Sequence, residues 1–104
     1  MSPHIQLDME RIKDFCRKWG IEEFALFGSV LRDDFEPESD IDVLVTFAPG
    51  MRMGLFDYAR MEQELVEIVG RNVDIVDRTA VERSENYIRR RHILSNLERV
   101  YVAR

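Results

Sequence analysis

Two aspartates at the start of an alternating segment could bind a metal ion. Asp40 and Asp42 flank Ile41 in a segment, 40–47, whose residues alternate between two sides. Ile41, Val43 and Val45 are expected to face one side, and Asp40, Asp42 and Leu44 the other. In an extended strand such a pair shares one face, with the carboxylates roughly 6 to 7 Å apart. Two like charges beside apolar neighbours need a matching positive charge, and Mg²⁺ prefers one or two carboxylates together with phosphate oxygens. The pair therefore predicts a divalent-cation site.

A third aspartate, Asp74, interrupts the apolar run Val73–Val76 and is expected to face the same side as the first pair. Asp77 is the competing candidate, but it follows the apolar run and is expected to end that strand. Three converging carboxylates with two metal ions can hold the attacking and leaving oxygens of an in-line phosphoryl displacement. We therefore predict Asp40, Asp42 and Asp74 as catalytic and metal-binding residues, with Asp74 as the base that takes the acceptor's proton.

A glycine-serine pair upstream is suited to bind phosphate. Gly28-Ser29 ends the apolar run Phe24–Phe27, and glycine allows the backbone to approach phosphate closely while the serine hydroxyl and the next amides bind oxygens. Val30–Arg32 is expected to begin a short helix. Gly28, Ser29 and Arg32 are the predicted nucleotide-binding residues, Arg32 acting on the leaving pyrophosphate.

Periodicity predicts the elements that position these residues. Apolar residues recur at helical spacing from Asp8 to Trp19, before Gly20, and again in a stripe closed by Gly70. That stripe comprises Leu55, Tyr58, Met61, Leu65 and Ile68. The predicted strands are 24–27, 40–47, 73–76 and an edge strand at 100–102; 33–39 is an acidic loop, and Thr79 is the expected N-cap of a last helix to about Leu97.

Composition indicates one soluble, cytoplasmic domain. The 104 residues, 45% of them hydrophobic, suffice for one core, so 1–104 is expected to be a single domain of the α+β class. The net charge of -5 disfavours stable nucleic-acid binding. One cysteine allows no internal disulfide, the N-terminus is unlike a signal peptide, and no run is long enough to span a membrane.

Other notable residues have plain structural explanations. Cys16 is expected to be a small buried hydrophobe, because no basic pattern would activate it. Arg89–Arg91 most often indicates a solvated helix face, although it could contact phosphate or an acidic partner. The apolar loop residues either cap the core or mark a docking surface. They are Met51, Met53, Leu55 and Phe56.

The pattern of Gly28-Ser29, ten residues and Asp40-x-Asp42 resembles the Gly-Ser-x10-Asp-x-Asp signature of the DNA polymerase beta-like nucleotidyltransferase superfamily. Over nearly the whole chain the order and spacing are similar to the minimal nucleotidyltransferase (MNT, MntA-like) branch. The segments that carry this resemblance are LFGSVLRDDFEPESDIDVLVTF, GLFDYARMEQELVEIVG and NVDIVD. The resemblance implies a nucleotidyltransferase fold with a small mixed β-sheet packed against helices, and it implies that Asp40, Asp42 and Asp74 bind Mg²⁺.

The resemblance also implies a role. Members of the branch are typically antitoxins whose partner is a HEPN-domain ribonuclease toxin, and some transfer AMP from ATP onto a tyrosine of that toxin. Because the chain has no residues for a separate acceptor domain, we expect a partner chain or a dimer mate to complete the acceptor site. Two alternatives remain open: an antitoxin that neutralises its partner by binding alone, and an enzyme that modifies a small hydroxylated metabolite.

Overall fold

The computed structural model describes residues 7–28, 40–51, 53–95 and 97–103. Within these ranges the elements confirm the predicted α+β class. They are α1 (Met9–Trp19), β1 (Ile21–Phe27), β2 (Ile41–Phe47), α2 (Leu55–Val69), β3 (Val73–Asp77), α3 (Arg78–Glu82), α4 (Tyr87–Ser95) and β4 (Glu98–Val102). No helix in the described ranges is long and apolar enough to cross a membrane.

The first helix forms as its end signals predict. The side chain of Asp8 accepts a hydrogen bond from the backbone N–H of Arg11 at 3.3 Å, which caps the amino end. Gly20 ends the helix in the left-handed conformation with φ of 67°, and its N–H donates to the carbonyl oxygen of Cys16. The apolar stripe between these ends is buried. It consists of Ile12, Phe15, Cys16 and Trp19.

The four strands form one mixed sheet in the order β3-β2-β1-β4. β1 pairs antiparallel with β2 on one side and with β4 on the other, whereas β2 and β3 are parallel. Parallel neighbours need a crossover connection, and α2 supplies it. β4 lies at one edge of the sheet, as predicted.

Each face of the sheet packs against a different pair of helices. Ile41, Val43 and Val45 of β2 join the larger core cluster beneath α1 and α2. Leu44, which points to the other face, packs with Val81 of α3 and Ile93 of α4. The alternation predicted for this strand is therefore confirmed, and Asp42 shares the second face with Leu44.

The carboxyl-terminal region departs from the single predicted helix. Asp77, not Thr79, caps α3, because an Asp77 carboxylate oxygen accepts from the Thr79 N–H at 3.0 Å. The helix then stops, and a second one starts where the Asn86 side chain accepts from the backbone N–H of Arg89 at 3.0 Å. Local side-chain bonds at both starts compete with one continuous helix.

Two further differences concern the predicted apolar segments. β1 begins at Ile21, three residues before the predicted strand, because its amino-terminal half also pairs with β2. Leu55 does not belong to the buried stripe of α2. Its side chain is 88% exposed, whereas Met61 and Leu65 are fully buried, because the first turn of α2 extends beyond the sheet-facing contacts.

A paired leucine substitution tests this assignment of the core. We expect Leu65→Ala to lower the free energy of unfolding by about 2–5 kcal/mol, because it leaves a cavity in the larger cluster. Leu55→Ala, in the same helix, is expected to change it by less than about 0.5 kcal/mol. Urea denaturation followed by circular dichroism measures both values, and equal losses would contradict the assignment.

Candidate active site

The parallel pairing of β2 and β3 brings two of the predicted aspartates together. Asp42 and Asp74 are direct partners in the register of the two strands, and paired residues of neighbouring strands point to the same face. Adjacent strands lie about 4.8 Å apart, so the two carboxylates adjoin one another. Asp42 is half-buried and Asp74 is exposed. The expected placement of Asp74 beside Asp42 agrees with this register.

Gly28 lies directly against the Asp42 carboxylate. It follows the last residue of β1, Phe27, which pairs with Asp42 across the sheet, and its φ is 77°. A Cβ atom at position 28 would overlap the Oδ2 atom of Asp42 and would lie 3.2 Å from its Cγ atom. Sequence reasoning assigned Gly28 to phosphate approach only and missed this contact, which no local pattern in the sequence indicates. A glycine is required here both for its backbone conformation and for its lack of a side chain.

Asp40 lies just outside the register that aligns Asp42 with Asp74. It immediately precedes β2 and is exposed, while the first ladder contact is the Ile41 N–H donating to the Asn72 carbonyl at 2.9 Å. Across the described ranges no three side chains of the types Asp, Glu, His and Cys converge in the manner of a metal site. The convergence of Asp40 with Asp42 and Asp74 on bound metal stays a prediction.

The remaining predicted ligands of the nucleotide, Ser29 and Arg32, lie outside the described residues, as do Val30, Leu31 and the acidic loop 33–39. The geometry that can be assessed is that of Asp42, Asp74 and Gly28. Two adjoining carboxylates at an exposed strand end fit Mg²⁺, which keeps several water or phosphate ligands and needs only one or two carboxylates from the protein. Gly28 itself adds no side chain beside the Asp42 carboxylate.

Asp77 ends β3, as the sequence predicted, and is engaged elsewhere. It lies on the opposite face from Asp74, since the two are three residues apart on one strand, and its carboxylate caps α3. Burial, together with the charge of Asp77, raises the pKa of Tyr58 above its ordinary value. Asp77 therefore caps a helix and does not join Asp42 and Asp74.

Cys16 is a core residue, as its pattern suggested. It is fully buried in the larger cluster, and this burial raises the pKa of its thiol to about 12. A thiol with such a pKa is almost wholly protonated at neutral pH and is a poor nucleophile.

The three arginines of the cluster Arg89–Arg91 differ in exposure and in their contacts. Arg89 and Arg91 are exposed, whereas the Arg90 guanidinium donates to the carbonyl oxygens of Glu82 and Ser84, each at 3.4 Å. Arg90 also lies 5.5 Å from the centre of the Tyr87 ring.

Among the apolar loop residues, Met53 packs on the larger core, while Phe56 is 90% exposed.

Comparison with known families identifies the fold. Residues 9–99 match the family described as the nucleotidyltransferase domain. The chain belongs to this family.

Sequence relatives of this nucleotidyltransferase-domain protein include MJ0435 of Methanocaldococcus jannaschii, named as a candidate protein adenylyltransferase, which is 39% identical over 59 residues. The match covers 57% of this chain and 61% of MJ0435, so it spans less than two thirds of that relative. The protein adenylyltransferase MntA of Thermococcus cleftensis is 29% identical over 69 residues, which are 66% of this chain and 68% of that protein. The resemblance to the minimal nucleotidyltransferase branch is thereby confirmed.

Solved structures share the fold. A toxin–antitoxin crystal structure with AMP-PNP aligns with a TM-score of 0.69 at 19% identity, over 94% of this chain and 76% of that chain. A structure of the tri-AMPylated Shewanella oneidensis HEPN toxin in complex with MNT antitoxin aligns with a TM-score of 0.61 at 21% identity, over 91% and 70%. At such identities the likeness establishes the common fold.

Substitution of Gly28 tests the contact with Asp42. We expect Gly28→Ala to reduce nucleotide transfer by about 10²-fold, because the added methyl group must displace the Asp42 carboxylate. Gly50→Ala is the matched control: Gly50 has a φ of 87°, so the backbone strain is comparable, but nothing lies within 4 Å of the added atom. Transfer assays on both variants would contradict the assignment if the two lost activity equally.

Thiol labelling tests the burial of Cys16. At pH 8 we expect the folded protein to resist alkylation by iodoacetamide, since the thiol is inaccessible and its pKa is about 12. In denaturant the pKa returns to its ordinary value and labelling is expected to be complete. Mass spectrometry distinguishes the two, and rapid labelling of the folded protein would show that Cys16 is a reactive surface thiol.

Proposed function

We propose that the protein is a Mg²⁺-dependent adenylyltransferase that transfers AMP from ATP to a tyrosine hydroxyl of a HEPN-domain toxin and acts as its antitoxin. The observation that carries the proposal is the Asp42–Asp74 pair, aligned by the β2–β3 register and approached closely by the Gly28 backbone. The names of relatives support the adenylyl donor and the partner: two are adenylyltransferases, and one related fold is bound to an AMPylated HEPN toxin.

The proposed reaction is an in-line displacement at the α-phosphorus of ATP. The acceptor oxygen forms a bond to phosphorus, the bond to the bridging oxygen of pyrophosphate breaks, and the acceptor proton passes to a carboxylate, for which Asp74 is the candidate. Mg²⁺, bound as two ions, would neutralise the phosphate oxygens and the leaving pyrophosphate. Asp42 and Asp74 would hold it together with Asp40.

The amino-acid types around the pair support the remaining roles. Gly28 exposes its backbone to the phosphate, Ser29 would donate its hydroxyl, and Arg32 would balance charge on pyrophosphate. Each of these roles is a proposal for this chain. A supply of ATP and a free, buried Cys16 are both compatible with the cytoplasm as the place of action.

A protein acceptor is supported by apolar side chains left on the surface. Leu55 and Phe56, adjacent in the chain, are 88% and 90% exposed. Neighbouring exposed apolar residues of this size commonly mark surfaces that another protein covers. The same observation favours a second candidate function, in which the chain neutralises its partner by binding alone; transfer to a small metabolite has no such support.

Removing one carboxylate separates these functions. We expect Asp42→Asn to reduce AMP transfer to the partner at least about 10²-fold, because the metal-held phosphate loses several kcal/mol of stabilisation. Intact-mass measurement of the partner after incubation with ATP and Mg²⁺ gives the yield. Asp14→Asn is the control, since Asp14 is a surface residue whose only described ion pair is a 3.8 Å contact with Arg17.

The two outcomes are distinct. If Asp42→Asn leaves the toxin active and unmodified while Asp14→Asn silences it, enzymatic neutralisation is supported. If Asp42→Asn silences the toxin as fully as the unsubstituted protein and no mass is gained with either, the adenylyltransferase proposal fails and the binding antitoxin takes its place.

A further inference from the structure

A cavity of about 130 Å³ lies between α3, α4 and the carboxyl end of β3. Its walls are mostly apolar, formed by Val76, Ala80, Val81 and Ile93, and polar groups of Ser84 and two arginines complete it. The cavity is on the same face of the sheet as the two paired aspartates. It has no part in the roles assigned so far.

The strand geometry places this cavity beside the Asp42–Asp74 pair. Val76 lines it and is two residues from Asp74 along β3, so both side chains project from one face. That spacing corresponds to about 6 to 7 Å along the strand. In a nucleoside triphosphate the base is joined to the α-phosphate through one ribose, a separation of comparable size. A nucleotide with its phosphates at the pair could therefore reach the cavity with its base.

The cavity has fixed walls. Val81 and Ile93 are 5% and 4% exposed and pack on the sheet, so the apolar side cannot shift freely. On the other side Arg90 is held by hydrogen bonds to the carbonyl oxygens of Glu82 and Ser84. A pocket whose walls are held by such contacts requires little ordering when a ligand enters, and this favours binding.

The lining suits a flat heterocycle with polar edges. Aliphatic side chains can contact both faces of a ring, and the Arg89 guanidinium can stack on it. Arg89 has no ion pair with any carboxylate in the described part of the chain, so its charge is available to a ligand. The Ser84 hydroxyl can donate to a ring nitrogen, even though its oxygen accepts from the Asn86 N–H at 3.2 Å.

We propose that this cavity holds the purine base of the donor nucleotide and thereby selects ATP. The proposal rests on the proposed function, because it takes the phosphates to bind at Asp42 and Asp74. The competing occupant is the aromatic ring of the acceptor residue. The fixed walls and the Arg89 guanidinium favour the base, which binds in the absence of the partner.

Filling the cavity tests this assignment on the full chain, without the partner. Ala80 is exposed and lines the cavity, so Ala80→Leu adds bulk there without disturbing the buried core. Titration calorimetry with Mg²⁺ would compare ATP with inorganic triphosphate, which has phosphates but no base. We expect Ala80→Leu to weaken ATP binding about tenfold or more, as loss of base stacking does, and to leave triphosphate binding unchanged.

Two further variants control the experiment. Ala59→Leu, at an exposed position in the amino-terminal third of α2 on the other side of the sheet, is expected to bind both ligands like the unsubstituted protein. Arg89→Gln is expected to weaken ATP binding more than triphosphate binding, which keeps the proposal testable if Ala80→Leu does not fold.

Unchanged ATP affinity in Ala80→Leu would overturn the proposal. Unchanged ATP affinity combined with lost transfer to the partner would likewise overturn it, and would assign the cavity to the acceptor ring. If the unsubstituted protein binds neither ATP nor triphosphate, the proposed function itself fails and the base cavity fails with it. If triphosphate binds normally and the variants bind ATP as the unsubstituted protein does, only the assignment of the base to the cavity fails, and the proposed function stands.

Discussion

The Asp42 carboxylate occupies the space that a side chain at position 28 would need, and the site depends on this contact. Gly28 can take that position because it follows the β1 residue that pairs with Asp42, and because glycine tolerates the positive φ of that turn. The contact fixes one side of the Asp42 side chain. The register of β2 and β3 places Asp74 next to Asp42 on the neighbouring strand.

The register has this effect only because the two faces of the sheet differ. Ile41, Val43 and Val45 are fully buried under α1 and α2, and a slip of one residue would move them to the opposite face. The hydrophobic free energy of that face therefore specifies where the carboxylates point. The second face carries a smaller cluster around Leu44, which leaves the amino-terminal ends of β2 and β3 open beside it. The larger core cluster and the Asp42–Asp74 pair thus lie on opposite faces of the same two strands.

Local patterns predicted the parts of the structure that local interactions determine. The ends of α1 follow from Asp8 and Gly20, and the shared face of Asp42 and Leu44 follows from period-two alternation. Asp74 was placed correctly because a lone acid in a short apolar strand must face an open side.

The differences from prediction arose where competing local caps or contacts between distant segments decide. The split between α3 and α4 depends on competing side-chain caps, and the exposure of Leu55 depends on where α2 extends past the sheet. The contact between Gly28 and Asp42 joins two strands across a loop, so no periodicity reveals it. Asp40 follows the same alternation as Asp42 but precedes the first register pair, Ile41 with Val73, so its place beside the other two carboxylates stays a prediction. The predicted roles of Ser29 and Arg32 stay predictions.

Electrostatics explains why such a pair lies at the exposed ends of the strands. Two carboxylates about 5 Å apart repel each other by about 3 kcal/mol at an effective dielectric constant of ~20, and less where water has access. Asp74 is exposed and Asp42 half-buried, so the pair is tolerated before any cation arrives. The charges of the pair and the net charge of -5 of the whole chain would both repel the triphosphate of the proposed substrate. The proposed function therefore requires nucleotide binding at this pair to be coupled to Mg²⁺ binding, and the exposed strand ends are open to solvent for both.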